Sequence, residues 1–259
     1  MLPFLVLGGR PIPTYSLLTL LGGAAAWLYF HHQLRRRGEN PGQAEQVFWL
    51  GILGALAGAK LLYLLPRLPQ LAADLPLLAA DPALFTARYL SGGFVFYGGL
   101  LGALAAVVLF CRRRGVPFAR LTAELIPAIP LFHAFGRVGC FLAGCCHGIP
   151  APAGWPAVTF RVSPAAPNGM PLVPVQLWES AGCLLLFLLL DRLLRRGWPG
   201  DRLLLLYLVL YAPLRFVLEW FRGDVVRGFL GVLSTSQWVA LITVAVALPL
   251  LVRRTRRRT

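Results

Sequence analysis

The chain has 259 residues, of which 58% are hydrophobic and only 14% charged, against roughly 45–50% apolar and about 25% charged in an ordinary soluble domain. That surplus excludes a soluble single-core protein and selects a membrane protein. The formal charge of +15 rests on arginine, with Lys60 as the single lysine; because the arginines cluster briefly between apolar runs, they read as loop charges at a membrane, and nucleic acid is excluded as a partner.

Met1–Arg10 lacks the basic start and small-residue cleavage site of a secretory peptide, so the spans themselves are expected to direct insertion. A membrane-crossing helix needs about 20 apolar residues. In chain order the stretches that qualify are Tyr15–Phe30, Val47–Leu65, Gly93–Cys111, Leu121–Ala143, Val175–Leu190, Leu203–Phe221 and Val232–Val252, predicting an all-α polytopic protein of about seven helices. The fourth is interrupted by Pro127, Pro130, His133 and Arg137, which a bilayer tolerates only where neighbours or a wet cavity satisfy the freed groups. Arginine clusters at Arg35–Arg37, Arg112–Arg114, Arg192 to Arg202 and Arg253–Arg258 fall at every second connection. The positive-inside rule therefore predicts a cytoplasmic C-terminus and an external N-terminus. Pro66–Leu90, Gly144–Pro174 and Arg222–Gly231 fall outside, and Gly144–Pro174 is long enough for a small outer cap. No internal repeat divides the chain, so residues 1–259 read as one integral-membrane domain. Pro69 to Pro82 reads as an amphipathic or irregular loop at the interface.

An ionisable side chain inside a span costs about 2.5–3.5 kcal/mol on insertion scales and so marks a site or an internal pair. Here such residues concentrate in HAFGRVGCFLAGCCHG at His133–Gly148 and YAPLRFVLEWFRGD at Tyr211–Asp224. Arg215, Glu219 and Arg222 are spaced i, i+4 and i+7, on one helical face if the helix continues. Such a row serves equally as a self-neutralising strut or as part of a site. Arg137 stands between glycines, which permits close approach of a ligand, and guanidinium groups hold phosphate in bidentate fashion. A lipid phosphate is the ligand these residue types suit. His133, one turn before Arg137, reads more readily as a packing histidine than as a base.

Cys140, Cys145, Cys146 and His147 are metal-ligand residue types, but they lack a CxxC pair and two of the cysteines are adjacent, so no metal is expected. A disulfide from Cys140 to Cys145 or Cys146 is favoured over a metal if the loop faces an oxidising compartment. Cys111 and Cys183 read as small packing residues. The glycines Gly92, Gly93, Gly98, Gly99 and Gly102 read as close helix packing or as room for an acyl chain.

SGGFVFYGGLLGA at Ser91–Ala103, the GRVGCFLAGCCHG run, PVQLWES at Pro174–Ser180 and LRFVLEWFRGD at Leu214–Asp224 together resemble the phosphatidylglycerol:prolipoprotein diacylglyceryl transferase family, in the expected order over nearly the whole chain. Tyr15 in IPTYSLL and Ser236–Gln237 fit as well. The resemblance implies a bacterial inner-membrane enzyme that moves a diacylglyceryl group from phosphatidylglycerol to the lipobox cysteine of a prolipoprotein signal peptide, releasing glycerol 1-phosphate, without metal or organic cofactor. By motif position it implies that Arg137 and Arg215 hold the lipid phosphate and that Gly136, Gly139 and Gly148 shape the phosphate loop. Tyr211, Glu219 and Arg222 complete the outer cluster, Gln176 and Glu179 form an outer pair on the fifth helix, and Tyr15 lines the cavity. The best-studied branch carries a histidine at Tyr97, and asparagines and a glutamate at Cys140, Ala143 and Cys145. The departures leave Tyr97, His147 or Glu219 to handle the thiol proton, and they keep open an enzyme with another acceptor or lipid donor. A transporter is the rival from another class; charge at helix ends instead of the midplane, and the lack of repeated halves, argue against it.

Overall fold

The structure, a computed structural model, describes residues 2–37, 41–90, 95–118, 122–224 and 228–256. Seven helices of 19 to 24 residues dominate the described residues: α1 Thr14–Arg37, α2 Pro41–Leu64, α3 Phe96–Arg114, α4 Leu125–Ala143, α5 Val175–Arg195, α6 Gly200–Glu219 and α7 Thr235–Arg256. Three helical stretches, Glu45–Ala73, Leu125–Ala143 and Thr235–Thr255, are long and apolar enough to cross a membrane. Large apolar side chains such as Leu20, Leu61, Leu185, Leu188, Ile242 and Val246 are exposed on these helices, an apolar surface that water would not tolerate over such an area.

The chain forms two compact units, one of Met1–Arg37 with Thr122–Thr259 and one of Gly38–Leu121. In the second unit α2 and α3 meet through glycine. A Cβ built at Gly58 or Gly102 would strike the backbone of the facing helix at Gly98 or Gly54, so only hydrogen fits there. Of the two readings of the third-helix glycines, Gly98, Gly99 and Gly102 thus take close helix packing; Gly92 and Gly93 lie outside the described residues. Between these helices the segment expected to be irregular folds as short helical turns, Leu68–Ala73, Leu77–Ala80 and Pro82–Phe85. Asp74 ties them down by accepting from the Arg88 guanidinium at 2.6 Å and the Tyr89 hydroxyl at 2.7 Å.

In the first unit α1 packs on α4, α4 on α5, and α6 on α5 and α7. α4 runs unbroken from Leu125 to Ala143 despite its prolines. Pro127 stands in the first turn, where no intrahelical donor is needed, and Pro130 is accommodated in the helix interior. The ends of these helices differ in chemistry. Ile126, Leu186, Leu190, Leu194, Leu203 and Tyr207 make an apolar core where α4 and α6 begin and α5 ends. Beside it Asp191 accepts from Tyr29 and Gln33, both at 2.8 Å, and pairs with Arg195 at 2.8 Å. The opposite ends carry the charged motifs.

Beside the dominant helices, three two-stranded antiparallel pairs occur among the described residues. Strands β1 Phe4–Leu7 and β2 Arg10–Pro13 close over Gly8 and Gly9, both with positive φ, as a tight two-residue hairpin turn demands. Strands β3 Val158–Thr159 and β4 Pro171–Leu172 pair within loop 144–174, and β5 Phe229–Leu230 pairs with β6 Leu233–Ser234 before α7. Strands of two to four residues are too short to show alternation, which is why the sequence pattern missed them.

Candidate active site

The site is assembled where α4, α5 and α6 bring their charged turns together, with Glu179 at its centre. Gln176 and Glu179 sit in the first turns of α5, both about 1% exposed. Ser180 fixes the helix against α4 by donating its hydroxyl to the Ala134 carbonyl at 3.0 Å. Arg137, from the middle of α4, places Nε 3.0 Å from Glu179 Oε2, and His133 one turn earlier places Nε2 3.6 Å from Oε1. From α6 the Tyr211 hydroxyl donates to Glu179 Oε1 at 2.9 Å, and its ring meets that of His133 at 5.2 Å. Arg215 completes the ring, with Nη2 2.7 Å from Glu219 Oε2 and Nη1 3.9 Å from Glu179 Oε2.

The arrangement is charge-balanced, two guanidiniums against two carboxylates, yet it is not saturated. Arg137 spends Nε on Glu179 and His133, and its Nη atoms have no hydrogen bond among the described residues. Arg215 Nη1 is buried without a hydrogen-bond partner among those residues. Ser236 in the first turn of α7 accepts from Arg215 Nη2 at 3.5 Å. That turn is fixed by a capping box, in which Gln237 Oε1 accepts from the Ser234 amide and Ser234 Oγ from the Gln237 amide. Two guanidiniums with spare N–H groups, held by packed helices, have the donors that an anion of phosphate type would take.

Around this centre the other expected residues divide. Tyr15, at the start of α1, lies on Gly139: a Cβ there would stand 3.3 Å from the Tyr15 ring. A Cβ at Gly136 would meet nothing within 4 Å, so open space adjoins the backbone one residue before Arg137. Gly148 is packed against the Val173 backbone and bridges Arg222 in an antiparallel pair. Arg222 departs from expectation. α6 ends at Glu219, so Arg222 leaves the helical row and donates to Asp224 through Nε at 2.7 Å and Nη2 at 2.5 Å. Burial alone raises the Asp224 carboxyl, but the hydrogen bonds and charge of Arg222 outweigh it and hold the group below its ordinary value. Tyr97 lies at the start of α3, in the second unit, and its side chain lies outside the described residues.

Loop 144–174 closes this end of the first unit. Gly144, left-handed at φ 73°, ends α4, and Ser163 accepts it into the loop by donating to its carbonyl at 3.0 Å. Phe160, Ala166 and Leu172 form a small core of their own. Ile149 N donates to Phe221 O and Gly223 N to His147 O, both at 2.9 Å, pinning the loop to the end of α6. His147 is held in that seam, with Nδ1 3.0 Å from the Gly148 carbonyl. Cys140, Cys145 and Cys146 are free thiols, with their sulfur atoms all within 4.8 Å of one another. The convergence depends on Cys146 taking φ 55°, a left-handed conformation that the residue type does not announce.

Comparison with known proteins fits this geometry. The family model for prolipoprotein diacylglyceryl transferase matches residues 3–253. The chain belongs to that family. A phosphatidylglycerol–prolipoprotein diacylglyceryl transferase of Clostridium tetani is 33% identical to it, covering 93% of this chain and 92% of its own. Proteins of the same name from Methylibium petroleiphilum, 33% identical over 98% and 96%, and Bordetella avium, 32% identical over 97% and 93%, are equally extensive matches. The matched span contains Arg137, Glu179, Arg215 and Glu219. Sequence reasoning had ranked Glu219 above Glu179, because the partners of Glu179 come from two other helices and no spacing reports them. His133 sits against Arg137, Glu179 and Tyr211, as its one-turn spacing to Arg137 allows.

Proposed function

We propose that the protein transfers the diacylglyceryl group of phosphatidylglycerol to the lipobox cysteine thiol of a prolipoprotein, forming a thioether and releasing glycerol 1-phosphate. The observation that carries the reading is the pair Arg137 and Arg215, both with N–H groups to spare around Glu179, in a chain of this family.

The chemistry follows from that pair. Attack of sulfur on the glyceryl carbon expels a phosphate monoester, which gains negative charge as the carbon–oxygen bond breaks. Guanidiniums fixed before the reaction stabilise that charge without reorganising, most effectively where water is excluded. Glu179 orients both arginines, and Tyr211 in turn holds Glu179. Gly136 leaves room for the head group beside Arg137, and Tyr15 lies against Gly139 one turn on. Glu219 sets the rotamer of Arg215, while Arg222, with Asp224, anchors the loop that covers the site.

The reading takes residues 1–259 as one domain of the bacterial inner membrane, with all seven long helices crossing, the N-terminus outside, the C-terminus cytoplasmic and loop 144–174 as an outer cap. The deciding experiment supplies labelled phosphatidylglycerol and a lipobox peptide to the purified protein in nanodiscs. Thioether-linked label on the peptide is the expected result. Label on another acceptor, or lipid movement with no covalent product, overturns the reading in favour of a different transferase or a transporter.

A further inference from the structure

α2 and α3 run antiparallel, because their close approaches fall at Gly54 against Gly102 and at Gly58 against Gly98. The glycine seam holds the two backbones together at those levels. One turn nearer the start of α2 it has opened: a Cβ added at Gly51 would meet only a Val107 methyl at 3.7 Å. Helices that touch at a crossing diverge beyond it, and here the divergence leaves a groove of about 820 Å³, within the roughly 300–1,000 Å³ of ordinary ligand pockets. Trp49, Leu50 and Leu53 from α2 and Ala106, Leu109 and Phe110 from α3 line it. Trp49 and Leu53 are more than half exposed.

Above these apolar walls the groove is cationic. Arg113 and Arg114, exposed in the last turn of α3, line its mouth, and the register that sets Gly54 against Gly102 carries Gly42 to the level of Arg114. The Arg114 guanidinium lies over the Phe110 ring at 5.9 Å, which keeps its charge at the top of the wall. Glu45 is the one carboxylate among the described lining residues, so the mouth is net positive. Arginines that only orient a loop need no groove beneath them. From Gly42 to Leu53 the lining runs about 16 Å at helical rise, and half of a bilayer's hydrocarbon core is about 15 Å. The groove has the depth of one leaflet, with basic groups at phosphate level and apolar walls at acyl-chain level. A spanning helix of another protein needs about twice that length.

We propose that this groove binds one anionic glycerophospholipid, with its phosphate on Arg113 and Arg114 and an acyl chain along the α2 and α3 walls, as a structural lipid and not as the lipid that reacts. Basic pockets between membrane helices hold acidic lipid head groups, and the planar donor pair of guanidinium suits a phosphate. None of the lining residues is assigned to transfer, so the site stands independently of the transferase reading. The lipid supplies what the glycine seam does not. The seam fixes α2 to α3 at one level, and a chain packed in the opening bridges their diverging ends. A ligand bound only by the folded protein raises its stability by mass action.

The test uses the full chain in detergent, stripped of co-purified lipid and then supplied with phosphatidylserine or, as the neutral probe, phosphatidylcholine. Native mass spectrometry counts the bound lipid. Wild-type protein should retain one phosphatidylserine per chain in preference to phosphatidylcholine, and its unfolding midpoint should rise more with the first. Arg113→Gln combined with Arg114→Gln should weaken that binding roughly tenfold or more, as two basic groups at a lipid head group require. Leu53→Trp, which keeps both arginines and fills the groove, should weaken it as well. Arg35→Gln combined with Arg36→Gln, exposed arginines at the end of α1, should leave it unchanged. Equal loss in that control means general attraction to surface charge and overturns the site, as does full retention by both groove variants. Loss in Arg137→Ala alone assigns the retained lipid to the reacting centre and overturns the proposal. Groove variants that change self-association but not lipid binding give the groove to a second copy of the chain and overturn it too. Stoichiometric phosphatidylserine without lipid transfer to any acceptor overturns the transferase reading and leaves this site standing.

Discussion

Arg137 and Arg215 share Glu179 but offer a ligand different things. Arg137 has two Nη groups without a hydrogen bond among the described residues, whereas Arg215 has only a buried Nη1 so placed. Replacing either with alanine should cost about 10²–10³ in transfer rate, by analogy with loss of an oxyanion-hole donor. Lysine should rescue neither fully, since it keeps the charge and loses the planar fork. Glu179→Gln removes the shared anion while keeping shape and should misorient both guanidiniums together. Labelled-lipid transfer in nanodiscs, with protein levels checked, measures all of these. Normal folding with near wild-type transfer in both alanine variants would return the arginines to structural pairing. Tyr97→Phe removes one neutral hydroxyl and should cost less than either arginine change; an equal loss would make that hydroxyl a proton relay. The two arginines were legible in the sequence because charge inside an apolar run is expensive. Glu179's central place was not, because it is set by how α4 and α6 lie against α5.

Elements differ in how much of their packing a residue pattern announces. The seven apolar runs were visible because the helical period and length are written directly in composition, and only their ends moved: α2 begins at Pro41 and α6 stops at Glu219. Arg222 was misplaced for that reason, since a chain can keep a helical spacing after the helix has ended. The glycine seam of α2 and α3 yields a sharp expectation. Gly102→Leu must push the Gly54 backbone away, while Gly23→Leu on α1 meets nothing within 4 Å. The first should lower the thermal unfolding midpoint in detergent and the second should leave it nearly unchanged; equal midpoints would mean that the helices separate at no cost. The seam of loop 144–174 responds to pH instead. Asp224 is held below its ordinary pKa by Arg222, so its contribution is complete above that ordinary value and is lost as pH falls through the lowered one. Wild-type protein should therefore be more stable than Asp224→Asn at neutral pH, and the gap should close as the solution is acidified towards and below the lowered value. A gap that persists in strong acid would assign the effect to shape, not charge.

For the whole molecule the strongest sequence signal is the alternation of arginine along the chain, and it makes the orientation testable without reference to any site. Lys and Arg in short loops hold those loops on the cytoplasmic side during insertion. Arg35–Arg37, Arg112–Arg114 and the start of the last cluster stand in the final turns of α1, α3 and α7, and Arg192 to Arg202 spans the end of α5 and the start of α6; the rule would put all four on one side of the bilayer. The transferase reading requires the other side for Arg137, Glu179 and Arg215, because an exported prolipoprotein presents its lipobox there. On that reading α4 would enter at Leu125, after the second cluster, with Arg137 past its middle, and α5 would run back from Val175 to Arg195. On the transferase reading, charge pattern and site chemistry would call for the same orientation. Reporters fused after Arg37, Arg114, Arg196 or Thr259 should be active only as cytoplasmic fusions, and those inserted near Ala73 or Ala153 only as external ones. If the C-terminal reporter proves external while the protein still transfers lipid, the seven-span topology fails and the helices cross in another order. If Ala153 proves cytoplasmic, the site faces the wrong compartment for an exported acceptor, and the transferase reading fails with it.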